Sequence, residues 1–124
     1  ELRQMHRRKT GALLEASVVM GAVAAQATQA TVQHLLRYGQ ALGVAFQVVD
    51  DILDVTADVA ALGKTVGKDA ANDKPTYVSL MGLEGARAEA SRLAQEAQNA
   101  LRESGLSPAP ALQAVADWVL QRQH

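Results

Sequence analysis

Cysteine is absent from the 124 residues. That excludes a disulfide-stapled scaffold and thiolate-ligated metals, and it fits a reducing compartment. Aromatic residues are scarce, Phe46, Trp118, Tyr38 and Tyr77 being the full set. An excess of either charge is also lacking, since the formal net charge is −1. No overall basic field therefore argues for nucleic acid, and the acids are not gathered into a tail. The longest apolar stretch, Gly11 to Ala25, is interrupted by Glu15 and Ser17. It falls short of the ~20 residues that span a bilayer, so a buried core helix is expected rather than a membrane span.

What remains favours helix. Alanine dominates, supported by Leu, Gln, Glu and Arg, so the composition predicts an all-α chain with one core. A first helix is expected from about Leu2 to Ala25, basic at its start. The break QATQAT offers Thr28 or Thr31 as N-cap, and a second helix follows to about Val55. The stretch 57–75, ADVAALGKTVGKDAANDKP, has no useful period and reads as a long loop. TYVSLMG then leads into a helix from about Leu83 to Glu103, whose inner face carries Ala86, Leu93, Ala97 and Leu101. Arg87, Arg92 and Arg102 alternate with Glu89, Glu96 and Glu103 as its solvated face. SGLSPAP is a turn, and Ala111 to Arg122 closes the chain as a helix packing Leu112, Val115, Trp118 and Val119. The chain starts with Glu1 in an uncapped helical pattern, which suggests a piece of a longer protein.

One segment resists a purely structural reading. In GVAFQVVDDILD, residues 43–54, three aspartates are set into an apolar helix. On a helical wheel Gly39, Gly43, Gln47, Asp50 and Asp54 fall within an arc of about 80°. Asp51 and Asp58 flank that arc, and Leu35, Leu42, Phe46, Val49 and Leu53 lie on its other side. An acidic cluster on a generic helix is a solvated face, but such a face carries Lys, Glu and Gln over several turns. This one carries glycines, expected to leave room for something bulky, and then carboxylates one turn apart. Like charges that close raise one another's pKa unless a cation sits among them. Oxygen ligands at i, i+1 and i+4 suit Mg²⁺, which takes one or two carboxylates, waters and a substrate phosphate.

Lysine is distributed unevenly. Lys9 lies in HRRKTG, and Lys64, Lys68 and Lys74 all lie in the loop after the aspartates, while every other cation is arginine. Solvated lysines would scatter. Gathered beside an acid-rich helix, they point to an anion held between ammonium groups and a metal, which describes a diphosphate site.

These residues resemble three motifs of the trans-isoprenyl diphosphate synthases, the farnesyl and geranylgeranyl diphosphate synthase family. GVAFQVVDDILD resembles its second aspartate-rich motif, HRRKTGALL its HRxKTG element, and GKTVGKDAANDKPTY its lysine loop. GLEGAR at 82–87 is similar to the bacterial short-chain members. Asn72 and Asp73 depart from the pattern, standing where the family often has a small residue. The resemblance implies an all-α fold of antiparallel helices around a cavity, the isoprenoid synthase fold, present in part, with the first two helices innermost. It implies Asp50 as chief Mg²⁺ ligand with Asp51 and Asp54 as direct or water-mediated partners. Lys9, Lys64 and Lys74, with Lys68 below them, would contact the allylic diphosphate, and Thr10 and Gln47 would line the cavity near the reacting carbons. Ionisation of the allylic diphosphate, attack by isopentenyl diphosphate and loss of a proton would extend the chain by five carbons. No side-chain nucleophile is needed.

The resemblance also implies a first aspartate-rich motif, the isopentenyl diphosphate site and the dimer-forming half, none of which is in these residues. The chain therefore reads as the C-terminal part of one polyprenyl synthetase domain, inactive alone, with exposed cavity faces. The full-length protein is expected to be a cytoplasmic homodimer. A non-catalytic subunit of a heteromeric synthase is disfavoured by the intact aspartates and lysines. A class I terpene cyclase is disfavoured because Asp54 is not followed by that group's Asn/Ser/Glu triad. Arg122 is read as a solvated terminal charge in preference to a substrate neighbour, and Trp118 as core.

Overall fold

The structure, a computed structural model, describes the backbone of residues 2–62, 75–106 and 109–122 and the side chains of 9–57, 75–106 and 109–122. The described residues form four helices and no strand: α1 (Leu2–Ala24), α2 (Gln29–Leu62), α3 (Tyr77–Glu103) and α4 (Pro110–Gln121). The all-α expectation holds. The 34 residues of α2 make a rod of about 51 Å, against which the other three helices pack.

The reason α2 is central lies in its sequence. Leu35, Tyr38, Leu42, Ala45, Val48, Val49 and Ile52 point in several directions around it and are all buried. α3 answers with a stripe of small residues, Ala86, Ala90, Ala97 and Ala100, together with Leu93 and Leu101. The alanines offer little bulk, so the larger α2 side chains fill the interface. Asp51 meets Tyr77 and Thr31 meets Ser104, so α3 runs antiparallel to α2. α4 runs parallel to α2, with the Tyr38 hydroxyl donating to the Leu112 carbonyl at 2.6 Å near one end. Burial pushes that phenol up to about 12.

Helix ends follow local chemistry. The α1–α2 turn is a Schellman closure: Ala27 N–H donates to Ala22 O at 3.1 Å and Gln26 N–H to Val23 O at 3.0 Å. Gln26 sits between them at φ 59, where glycine is usual. Of the two candidate caps it is Thr28 whose Oγ1 accepts from the Thr31 N–H, at 3.2 Å, and Thr31 instead donates to Ser104 O. The Thr76–Ser79 capping box starts α3, but Gly82, at φ 76 and ψ 167, breaks it. The start expected at Leu83 falls directly after that break. Arg92 grips Glu89 at 2.7 and 2.9 Å and reaches Glu96 at 3.2 Å, which confirms a solvated face and holds the Glu89 carboxyl below its ordinary value.

One boundary and one burial assignment need correction. α2 runs seven residues beyond Val55, to Leu62, because TADVAAL contains no helix breaker. Thr56 accommodates it by donating back to the Ile52 carbonyl. In α4 the buried stripe is Ala116 and Val119 with Leu112 half-buried, whereas Trp118 is 57% and Val115 41% exposed. Trp118 is not core: the small Ala116 occupies the inward position that its bulk was expected to take.

Candidate functional site

The glycines of α2 are where α1 crosses it. A Cβ on Gly39 would lie 3.1 Å from Glu15 Cα, and one on Gly43 would lie 3.3 Å from Gly11 Cα. The space expected beside these glycines is therefore taken largely by the main chain of α1. What remains is an open cleft of about 300 Å³ along the crossing, lined by Gly11, Ala12, Glu15, Gln40, Gly43, Val44 and Gln47. A Cβ on Gly11 would meet the Gln47 amide nitrogen at 3.3 Å, so the glycine that ends HRRKTG lies against Gln47, one turn before Asp50. Within that segment Lys9 is exposed and Thr10 half-buried.

Asp50 is met from α4. Arg122 Nη2 donates to Asp50 Oδ1 at 3.0 Å, and the two side chains are 21% and 33% exposed. The guanidinium carbon also lies 4.2 Å over the Phe46 ring and 5.3 Å over the Trp118 ring. Reading Arg122 as a solvated terminal charge is thus incorrect: the α4 stripe that buries Val119 carries Arg122, three residues on, inward to α2. Its Nη1 is buried with no hydrogen-bond acceptor among the described residues.

Asp51 faces the other way. It is 3% exposed, and its Oδ2 accepts the Tyr77 N–H at 2.9 Å. Tyr77 is the first residue of α3, where the N–H has no partner within the helix and the macrodipole favours an anion. Asp54, half-buried, lies one turn beyond Asp50. Among the described residues no group of three acidic or histidine side chains is gathered so as to hold a metal ion. Two carboxylates spaced i, i+4 on one helix face nonetheless fit Mg²⁺, whose remaining positions go to water and phosphate. Lys64, Lys68 and Lys74 lie outside the described residues.

The aspartate turns of α2 are therefore approached by the first half of α1, the start of α3 and the end of α4. From sequence, Arg122 was weighed as a substrate neighbour and set aside, and Phe46 was placed only as an apolar flank of the aspartate arc. Phe46 stands four residues before Asp50, on the same helix face, and that spacing is the signal that could have found it. Nothing local ties Arg122 to Asp50, 72 residues earlier.

A family model described as polyprenyl synthetase matches residues 1–108. The chloroplastic geranylgeranyl pyrophosphate synthase of Capsicum annuum is 46% identical, over 99% of this chain and 33% of that protein. The dimethylallyltranstransferase of Fischerella ambigua (strain UTEX 1903) is 42% identical, over 99% of this chain and 35% of that protein. A crystal structure described as a putative farnesyl-diphosphate synthase, from Marinomonas sp. MED121, matches with a TM-score of 0.70 at 38% identity. It covers 96% of this chain and 39% of that one. The chain spans about a third of the length of the curated relatives it matches.

Proposed function

Because the chain belongs to the polyprenyl synthetase family, we propose that it forms one wall of a short-chain trans-prenyl diphosphate synthase site. It has the all-α isoprenoid synthase fold in part. The reaction proposed for the intact protein joins isopentenyl diphosphate to an allylic diphosphate. The observation that supports this reading is the packing of Gly11, the last residue of HRRKTG, against Gln47 and Gly43 at an open cleft on the helix that carries Asp50.

Asp50 and Asp54 would hold Mg²⁺, and what Mg²⁺ supplies there is neutralisation of diphosphate charge. Asp51 fixes the first turn of α3, the helix into which the lysine-bearing stretch leads. Lys9 is exposed and would offer an ammonium group to a diphosphate oxygen, and the same role is proposed for Lys64, Lys68 and Lys74. Gln47, which lines the cleft, and Thr10, next to Gly11 in sequence, would border the volume where the reacting carbons lie, and Ala12 and Val44 would offer apolar surface to a prenyl chain. Charge developing on the departing diphosphate is thus met by fixed cations, and such preorganised charge is usually the largest source of acceleration where a leaving group must be stabilised.

The intact protein is proposed to work as a homodimer in the cytoplasm. No helix among the described residues is long and apolar enough to cross a membrane.

The test is incubation of the intact protein with labelled isopentenyl diphosphate, geranyl diphosphate and Mg²⁺. A product five carbons longer is expected, with Asp50→Ala lowering turnover by at least about 100-fold while leaving the helical signal unchanged. Absence of product, or near-normal turnover in Asp50→Ala, would overturn the reading.

A further inference from the structure

The ion pair between Asp50 and Arg122 places a cation on the carboxylate assigned above to Mg²⁺. Arg122 is held there by more than charge. Its guanidinium lies over Phe46, its stem leaves the last turn of α4 beside buried Val119, and only 21% of the side chain is exposed. Removal from water keeps the contact from being fully screened. Nη1 is buried and has no acceptor among the described residues, so those partners leave the guanidinium a donor to spare.

The consequence depends on what approaches. A bare divalent cation meets a carboxylate whose charge is already balanced, with a fixed positive charge beside it. A complex of Mg²⁺ with diphosphate is a net anion, and the same fixed charge attracts it. We propose that Arg122 is a positioning residue acting through Asp50, which disfavours bare Mg²⁺ and favours Mg²⁺ that arrives with diphosphate. This rests on Asp50 being a metal ligand. The site then accepts metal and leaving group together, so it does not fill with cation while substrate is absent.

The experiment is calorimetric titration of the intact protein with Mg²⁺ alone, and with Mg²⁺ plus inorganic diphosphate. Arg122→Gln is expected to bind bare Mg²⁺ about three- to tenfold more tightly and Mg²⁺–diphosphate about three- to tenfold more weakly, the scale of one unit charge acting across a partly wet site. Arg122→Lys, which keeps the charge, should retain the wild-type order. Arg122→Met keeps the apolar stem on Phe46, should show the same crossing, and serves if Arg122→Gln does not fold. A merely structural residue would shift both affinities in the same direction. That result, or no shift in either, overturns the proposal. Asp50→Asn separates the two claims. If it leaves Mg²⁺–diphosphate binding unchanged, the ligand assignment fails and this inference with it. If it abolishes binding while Arg122→Gln shows no crossing, the inference alone fails.

Discussion

Replacing Asp51 by Ala removes the acceptor from the first N–H of α3. The Tyr77 N–H donates to Asp51 Oδ2 at 2.9 Å, and the carboxylate is 3% exposed, so water cannot easily take its place. A buried donor left without a partner costs about 1–3 kcal/mol. Loss of an anion at a helix N-terminus adds about 0.3–1 kcal/mol. Together Asp51→Ala should destabilise the protein by about 1–4 kcal/mol. Asp50 is a third exposed and its partner Arg122 a fifth, so Asp50→Ala should cost no more than about 1 kcal/mol. Adjacent carboxylates in one motif are therefore expected to separate, Asp51 through stability and Asp50 through turnover. Urea unfolding followed by circular dichroism measures the first, and the prenyl-transfer assay under folded conditions measures the second. A loss below about 0.5 kcal/mol for Asp51→Ala would refute the assignment of this carboxylate to the start of α3.

Tyr38 should make stability depend on alkaline pH. Its folded-state value is raised to about 12, so the unfolded chain loses the phenolic proton first. The stabilisation is complete below pH ~10, the unfolded value, and is lost as pH rises from there towards 12. Urea titrations across that window should show a decline that is reduced in Tyr38→Phe, which itself should cost about 1 kcal/mol at neutral pH by orphaning the Leu112 carbonyl. Gly39→Ala should destabilise by about 1–3 kcal/mol, since its methyl would press on the α1 backbone at 3.1 Å. Gly21→Ala, with nothing within 4 Å, should stabilise by up to about 1 kcal/mol. Parallel denaturation curves decide the pair, and equal effects would remove the close crossing of α1 and α2.

What sequence can announce is set by how far apart the deciding residues are. The inner face of α3 was legible because Ala86, Leu93, Ala97 and Leu101 recur at helical spacing, and all four are buried. The Gly82 break and the Thr28 cap were legible because backbone freedom and capping hydroxyls act within a turn or two. Gly39 and Gly43 were seen as special, but open space and a neighbouring backbone look alike until α1 is placed against them. Trp118 misled because a large apolar residue on a periodic helix suggests core. Burial in α4 instead follows Ala116 and Val119, and the indole is left beside Arg122. The pairing of Arg122 with Asp50 depends on α4 running parallel to α2. That direction is the sum of two changes of direction, from α2 to α3 and from α3 to α4. No local pattern encodes their sum, so Arg122, which pairs with Asp50, was a cation that sequence reasoning set aside.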